Sequence, residues 1–163
     1  MAHVLIVGCG YIGTALGLHL AAAGHTVRGM RRQPRSLPAA LHPLEADVTI
    51  PDSLRDLPRG IEVVFYTAAA KQRTDEAYCA TYVTGLHNLL VALQQQQQHP
   101  RRIVLTSSTG VYAQCQGEWV DETSPTEPTH FAGQRLLEGE RLLQESPFAS
   151  TVLRLAGKIG RAS

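Results

Sequence analysis

Short apolar runs alternate with longer amphipathic segments along this chain, and the alternation predicts its secondary structure. Strands are expected in six short apolar runs, at residues 3–7, 26–30, 41–46, 61–67, 103–107 and 151–155. Helices are expected where apolar residues recur every three to four positions, at residues 14–23, 51–57, 75–98 and 130–145. Strands that alternate with helices pair in parallel through right-handed crossovers. The pattern therefore predicts an α/β fold with a doubly wound parallel sheet.

The segment between the first strand and the first helix carries the clearest functional motif. Residues 8–13 read Gly-Cys-Gly-Tyr-Ile-Gly, a G-x-G-x-x-G motif in the strand-turn-helix context of a dinucleotide site. Gly8 permits a tight turn, Gly10 lets a pyrophosphate approach the backbone, and Gly13 lets the helix pack closely on the strand. The helix N-terminus adds free N–H groups and a positive dipole end. We predict a dinucleotide site, the alternative being an ordinary glycine turn.

The end of the second predicted strand indicates which dinucleotide binds. NAD sites place an acidic residue there for the ribose hydroxyls, whereas this chain has Arg31 and Arg32 and no carboxylate nearby. Guanidinium groups bind a 2′-phosphate through charged, bidentate hydrogen bonds. We therefore predict NADP as the cofactor, with NAD as the alternative. The competing interpretation is that both arginines are solvated loop residues.

The length and net charge of the chain limit its domain count and the partners expected for it. The chain of 163 residues fits one domain over residues 1–163, and its formal net charge of +1 predicts no nucleic-acid or membrane partner. No transmembrane run and no signal peptide are visible, so a cytoplasmic location is expected. Cys9, Cys79 and Cys115 lack metal-ligand spacing, and neither a metal site nor a disulfide framework is expected.

Two polar segments remain to be interpreted. The five glutamines at residues 94–98 form either an interaction tract or a solvated helix end, and we predict the helix end because glutamine is a good helix former. The four hydroxyl residues from Thr106 to Thr109 end the fifth strand, where open α/β sheets bind ligands. Hydroxyls there orient a carbonyl or a ribose, or else they cap a turn.

Several segments together resemble the extended and atypical short-chain dehydrogenases/reductases, the NAD-dependent epimerase/dehydratase family. The resemblance covers nearly the whole chain and rests on residues 7–13, 46–48, 63–69, 85–90, 102–112 and 153–157. It implies a Rossmann-type sheet that binds NAD(P). The residues that it implies for the cofactor are Gly8, Gly10, Tyr11, Ile12, Gly13, Asp47, Val48, Ala68, Ala69 and Ser107.

The same resemblance implies where the adenine and the reacting group lie. In the family, the Asp-Val pair lies near the adenine and the paired alanines line the cofactor cleft, roles that pass to Asp47-Val48 and Ala68-Ala69. A serine in the Ser-Ser-x-x-Val-Tyr segment hydrogen-bonds the reacting oxygen. Ser108 matches that serine, with Ser107 beside it.

The chain departs from the family at the catalytic pair. The family uses Tyr-x-x-x-Lys at the start of the next helix, and the matching positions here hold Phe131 and Arg135. Phenylalanine has no ionisable proton and cannot act as a general acid or base. Arg135 keeps the positive charge and is expected to contact the cofactor ribose. Tyr82 stands where the family has Asn before Val83-x-Gly85.

Three other residues are candidates for the missing proton donor. Tyr112 is close to Ser108 in sequence, and we predict these two as the catalytic residues. His130 has an ordinary pKa suited to proton transfer, and Lys71 follows the alanines of the cleft. The competing interpretations are a packed aromatic for Tyr112, a helix-start residue for His130 and a solvated charge for Lys71.

The resemblance leaves two functions open. The first is an NADP(H)-dependent oxidoreductase or epimerase that acts on a nucleotide-sugar-like or carbonyl substrate. The second is a non-catalytic dinucleotide sensor, or a truncated and inactive family member. Most of the family's C-terminal substrate-binding region is expected to be missing, because the sequence stops soon after Gly157. The last strand would then present an exposed edge, which predicts a homo-oligomer.

Overall fold

The strands form one sheet and run parallel, as the sequence predicts. The computed structural model describes residues 1–114 and 116–156, so Cys115 and the predicted continuation at 157–163 lie outside the described residues. The strands are β1 His3–Val7, β2 Thr26–Arg31, β3 His42–Glu45, β4 Val63–Tyr66, β5 Arg102–Ser108 and β6 Ser150–Leu155. They form one parallel sheet in the order β3-β2-β1-β4-β5-β6. The doubly wound Rossmann-type prediction is confirmed, and the order reverses at β1 and β4.

The helices follow the predicted alternation, with shifted ends. They are α1 Tyr11–Ala22, α2 Asp75–Tyr78, α3 Gly85–Gln95 and α4 Phe131–Gln144. Helix α1 begins three residues before the predicted start, because the end of the glycine motif already forms its first turn. The predicted helix over 51–57 is a short 3₁₀ turn, Pro51–Leu54, with proline in its first turn.

The helix predicted over residues 75–98 is not a single regular α-helix. A π-helical segment, Cys79–Thr84, separates α2 from α3. The Tyr66 hydroxyl donates to the carbonyl of Thr81 at 2.6 Å. A Cβ at Gly85 would lie 2.6 Å from Val48 Cγ2 and 2.9 Å from the Tyr66 oxygen. Close packing against β4 therefore accompanies the wider turn, and residue periodicity alone does not reveal it.

Two apolar layers sandwich the sheet because successive strand residues face opposite sides. In β1, Val4 and Ile6 pack in one layer with Leu16 and Leu20 of α1. Leu5 and Val7 pack in the other layer with residues of α3, namely Leu86, Leu89, Leu90 and Leu93. The central strands are thus buried on both faces, as expected for a parallel sheet.

The glutamine run does not simply end a helix in solvent. Gln98 is only 6% exposed, and its side-chain amide accepts from the Ile61 N–H and donates to the Pro58 carbonyl. The Gln96 amide bonds the backbone of residues 54 and 57 in the same way. The predicted solvated helix end is therefore wrong at Gln96 and Gln98, whose amides satisfy backbone groups of the loop before β4.

The strand β6 lies at an edge of the sheet, as predicted. Leu153 and Leu155 on this strand are 43% and 39% exposed. Association of copies through this edge stays a prediction. Within residues 1–114 and 116–156, no helix is both long enough and apolar enough to cross a membrane.

Replacing Gln98 by alanine should destabilise the fold. Its loss leaves the backbone groups of residues 58 and 61 without partners, which should lower the free energy of unfolding by about 1–3 kcal/mol. Urea denaturation followed by circular dichroism measures the change. Gln94→Ala is the matched control, because Gln94 is exposed and its removal should cost less than about 0.5 kcal/mol. Equal stability of the two variants would contradict this assignment.

Candidate dinucleotide-binding site

The glycine loop after β1 is held against two neighbouring strands. The N–H groups of Gly8 and Cys9 both donate to the Met30 carbonyl on β2, at 3.0 and 2.9 Å. Gly8 has a φ of +81°, and a Cβ there would lie 2.2 Å from Ala68 Cα, beyond the end of β4. A side chain at position 8 would therefore meet both backbone strain and a collision.

Gly10 and Gly13 have different surroundings, which fit their predicted roles. A Cβ at Gly10 would approach no closer than 3.9 Å to the Gly8 carbonyl oxygen, so the space above it is open. At Gly13, a Cβ would lie 2.7 Å from Thr67 Oγ1 and 2.9 Å from Ile6 Cγ2. Gly10 leaves room for a ligand, and Gly13 permits the close contact of α1 with the sheet.

The first turn of α1 suits an anionic group. Gly10 is the N-cap, no side chain caps the helix, and the first turn contains no acidic residue. The positive end of the helix dipole and its N–H groups are therefore available to a pyrophosphate. Tyr11 and Ile12 begin the helix beside this position, with Tyr11 68% exposed and Ile12 partly buried.

Two arginines lie at the end of β2, next to the loop. Arg31 is the last residue of β2. Burial raises the pKa of the Cys9 thiol, and the hydrogen bond with Thr14 and the nearby charge of Arg31 partly oppose that rise. Arg32 NH1 lies 3.9 Å from Asp47 Oδ2, and the Arg32 side chain is about half exposed. The carboxyl end of β2 thus carries positive charge close to the glycine loop. The expectation that no carboxylate lies near these arginines is wrong, because the chain after β3 brings Asp47 beside Arg32.

Asp47 and Val48 follow β3 at the same edge of the sheet. One Asp47 oxygen accepts from the N–H and hydroxyl of Thr49, at 2.9 and 2.8 Å. Burial raises the pKa of Asp47, but these hydrogen bonds and the charges of Arg32 and Lys71 bring the pKa below its usual range. Val48 is fixed through its carbonyl, which accepts from Asn88 Nδ2 at 2.8 Å.

The segment after β4 forms the other wall of the loop. The Thr67 hydroxyl donates to the carbonyls of Val7 and Gly8, at 3.2 and 3.0 Å, and ties β4 to the loop. Ala68 then contacts Gly8, and Ala69 is exposed beside it. Lys71 acts electrostatically on Asp47, so its charge lies towards the end of the site that the family resemblance assigns to the adenine.

The hydroxyls at the end of β5 bind different partners. Thr106 donates to the Tyr66 carbonyl at 3.0 Å, and Ser107 donates to the Glu140 carboxylate at 2.5 Å. Ser108 Oγ accepts from the Gly110 N–H at 3.1 Å and caps the 3₁₀ turn Thr109–Val111. Within the described part of the chain, the Ser108 O–H has no acceptor. Ser108 therefore caps the turn and keeps a hydrogen to donate.

A buried ion pair supports this strand end. Glu140 on α4 is 1% exposed, and its carboxylate accepts from Arg154 of β6 at 2.8 and 3.2 Å. Arg154 also donates to the Tyr112 hydroxyl at 2.8 Å, and the Tyr112 hydroxyl donates to the Asp121 carbonyl at 2.8 Å. The predicted catalytic hydroxyl of Tyr112 is thus engaged both as acceptor and as donor.

Sequence analysis missed Glu140 and Arg154, although a signal was present. Glu140 follows Leu136 by four residues and precedes Leu143 by three, so it lies on the apolar face of α4. An acidic residue on such a face needs a buried partner. Arg154 is the basic residue in the last predicted strand and was therefore the candidate partner for Glu140.

The start of α4 carries Phe131 and Arg135, the predicted counterparts of the family's catalytic pair. His130 is the N-cap, where its Nδ1 accepts from the Ala132 N–H at 3.2 Å, in agreement with the helix-start interpretation. The Phe131 ring meets Tyr78 edge-on at 5.6 Å. Arg135 binds both oxygens of Asp75, at 2.8 and 2.9 Å, and also Glu138. A contact between Arg135 and a ribose stays a prediction.

Across residues 1–114 and 116–156, no cluster of three or more His, Cys, Asp or Glu side chains could hold a metal ion.

Alanine at Gly8 and alanine at Gly10 should have separable effects. Gly8→Ala should lower thermal stability because of its positive φ and the collision with Ala68. Gly10→Ala should change the unfolding free energy by less than about 1 kcal/mol while it blocks a pyrophosphate. Differential scanning fluorimetry without and with dinucleotide measures both effects. A Gly10→Ala protein that binds dinucleotide normally would contradict the placement of the pyrophosphate.

Removing Arg154 should cost more than removing an exposed arginine. Arg154→Met leaves the buried Glu140 carboxylate without its partner, which should lower the unfolding free energy by about 3 kcal/mol. Chemical denaturation measures this loss. Arg101→Met is the control, since Arg101 is exposed and should matter by less than about 0.5 kcal/mol. The double variant Arg154→Met/Glu140→Met should recover part of the loss; no recovery would argue against an unpaired charge as its cause.

Known proteins resemble the chain over nearly its whole length. The sequence model of a family described as NAD(P)H-binding matches residues 8–158. The chain is 30% identical to protein YeeZ of Escherichia coli K12, in an alignment that covers 98% of this chain and 60% of YeeZ.

Two solved structures show the same fold, at 40% and 25% sequence identity. A Methylobacillus flagellatus protein assigned as an NAD-dependent epimerase/dehydratase is 40% identical, with a TM-score of 0.79 over 94% of this chain and 53% of that chain. A short-chain dehydrogenase/reductase superfamily protein of Agrobacterium tumefaciens, solved with bound NAD, is 25% identical. Its TM-score is 0.80 over 93% of this chain and 48% of that chain. The chain spans about half the length of both solved relatives.

These similarities agree with the geometry of the glycine loop. They support a nicotinamide dinucleotide as the cofactor, and they do not favour a non-catalytic module over an epimerase/dehydratase-like protein. The chain belongs to the NAD(P)H-binding family, within the short-chain dehydrogenase/reductase superfamily that includes the NAD-dependent epimerases and dehydratases.

Proposed function

We propose that this chain binds NADP(H) and supports hydride transfer between the nicotinamide and a carbonyl or hydroxyl group of a nucleotide-sugar-like or other carbonyl substrate. The observation that carries the proposal is the position of Arg31 and Arg32 at the end of β2, beside the open glycine loop. A dinucleotide whose pyrophosphate lies over Gly10 carries its adenosine ribose towards that strand end.

The charges at this end of the site support NADP(H) over NAD(H). Arg31 and Arg32 supply positive charge for a 2′-phosphate, and Arg32 is about half exposed. The Asp47 carboxylate is engaged by Thr49 through one oxygen and faces Arg32 through the other. The Agrobacterium tumefaciens relative was solved with NAD, so NAD(H) is the alternative to test.

The end of β5 supports a reaction at a carbonyl group. The Thr106 and Ser107 hydroxyls donate hydrogen bonds to protein acceptors. Among the described residues, the Ser108 hydroxyl accepts a hydrogen bond but donates none. Ser108 would donate a hydrogen bond to the reacting oxygen and hold it beside the cofactor. The buried Glu140–Arg154 pair holds the neighbouring Ser107 and thereby the strand end. The nicotinamide, when bound, supplies or accepts the hydride.

Calorimetric titration with NADPH and NADH tests the cofactor assignment. NADPH should bind more tightly, and Arg31→Ala should weaken NADPH binding by about 1–3 kcal/mol while NADH binding stays unchanged. Arg59→Ala is the control, because Arg59 is exposed on the loop that precedes β4, at the opposite end of the strands. Equal affinities for the two dinucleotides would overturn the NADP(H) preference. If neither NADPH nor NADH binds, the proposed function is overturned.

A further inference from the structure

The proposed hydride transfer needs a proton donor, and the described contacts give each of the three predicted candidates another role. The Tyr112 hydroxyl donates to the Asp121 carbonyl and accepts from Arg154. His130 Nδ1 accepts from the Ala132 N–H as the N-cap of α4. The charge of Lys71 acts on Asp47 and so lies towards the end of the site assigned to the adenine.

Tyr82 brings a phenol oxygen near the strand ends that border the proposed cofactor cleft, because its ring packs with Val111, three residues after Ser108. The backbone N–H of Ala70 interacts with this oxygen and acts to lower its pKa. Ala70 is two residues after Ala68, whose backbone contacts Gly8 of the glycine loop. The Tyr82 hydroxyl therefore lies beside the segment after β4 that also contacts the glycine loop. Tyr82 is a partly exposed residue.

The π-helical segment sets the position of Tyr82. The wider turn Cys79–Thr84 contains Tyr82, and the Tyr66 hydroxyl holds it by bonding the Thr81 carbonyl. On the other side, a Cβ at Gly139 of α4 would lie 2.4 Å from the Tyr82 carbonyl oxygen, so α4 packs directly on this turn. Single π turns inside α-helices are frequent at functional sites. Here the turn is fixed from β4 and from α4.

The surroundings of Tyr82 keep its phenol protonated at neutral pH. Its ring packs in an apolar cluster with Val111, Leu136 and Leu137, and lies 5.2 Å from the ring of Tyr78. Burial is the largest cause of a raised Tyr82 pKa, Tyr78 raises it further, and the Ala70 N–H opposes both. A protonated phenol can give a hydrogen to a carbonyl oxygen, and a positive charge nearby would make that transfer easier.

We propose that the Tyr82 hydroxyl exchanges the proton with the reacting carbonyl oxygen, an assignment that rests on the proposed function. In reduction, the carbonyl carbon accepts a hydride from the reduced nicotinamide, which is thereby oxidised. The Tyr82 O–H bond breaks as an O–H bond forms on the carbonyl oxygen, giving an alcohol and a tyrosinate that regains a proton from water. In oxidation, the tyrosinate accepts the alcohol proton as the hydride leaves carbon. Ser108 orients the same oxygen.

Ultraviolet difference titration at the phenolate band tests this assignment without a substrate. The oxidised nicotinamide carries a positive charge that the reduced ring lacks, and an opposite charge within about 4–6 Å lowers a pKa by about 1–3 units. With saturating NADP⁺, one tyrosine should therefore ionise at a pH lower by about one unit or more than with NADPH. The same titration with NAD⁺ and NADH covers the alternative cofactor. Calorimetry on the same samples confirms occupancy.

Three variants assign the shifted tyrosine. The shift should disappear in Tyr82→Phe and persist in Tyr78→Phe and Tyr112→Phe. Tyr78→Phe is the closest control, because Tyr78 precedes Tyr82 by four residues and its ring contacts the Tyr82 ring. The comparison of oxidised with reduced dinucleotide in the unmodified chain needs no variant, so it holds even if one of them fails to fold.

The outcomes separate this assignment from the proposed function. Bound dinucleotide without any difference between the oxidised and reduced forms overturns the role of Tyr82 alone. A shift that persists in Tyr82→Phe, or that disappears in Tyr112→Phe instead, also overturns it. Absence of calorimetric binding by all four dinucleotides overturns the proposed function and this assignment with it.

Discussion

The contact between Gly8 and the backbone of Ala68 is the constraint on which the cofactor site depends. It requires a left-handed φ and a position without a Cβ, and glycine alone satisfies both at low cost. The contact joins the end of β1 to the segment after β4, where the strand order of the sheet reverses. Ligands bind at such reversal points in open α/β sheets. One backbone contact therefore sets the shape of the loop and the place of the cleft.

The region near the proposed reacting group is organised around buried polar contacts on α4. The Glu140–Arg154 pair connects α4 with β6, and through Ser107 and Tyr112 it also reaches the end of β5 and the loop that follows. Arg135 forms a second link, to Asp75 at the start of α2, and holds the pKa of Asp75 below its usual range. Helix α4 thus serves as a frame for this region.

Strong local signals in the sequence were sufficient to predict the sheet and the loop. The apolar run of β1, the spaced glycines and the Arg31-Arg32 pair each act through their immediate neighbours, so the chain itself reveals them. The π turn and the roles of Gln98 and Glu140 depend on contacts with residues distant in sequence. Gln98 bonds a loop 37 and 40 residues earlier, and Tyr66 bonds a carbonyl 15 residues later. Periodicity cannot identify such partners, because it records only which face of an element a residue occupies.

The pairing of β1 with β4 also bears on how the site forms. Val4 pairs with Val63, nearly sixty residues away, so closing that loop costs conformational entropy before any of its contacts form. The Gly8–Ala68 contact exists only after this pairing, so the unfolded chain lacks the folded glycine loop. A ligand that needs this loop binds the folded state alone. A higher ligand concentration therefore raises the apparent stability of the whole sheet by mass action. Cellular dinucleotide levels would then influence how long this chain persists.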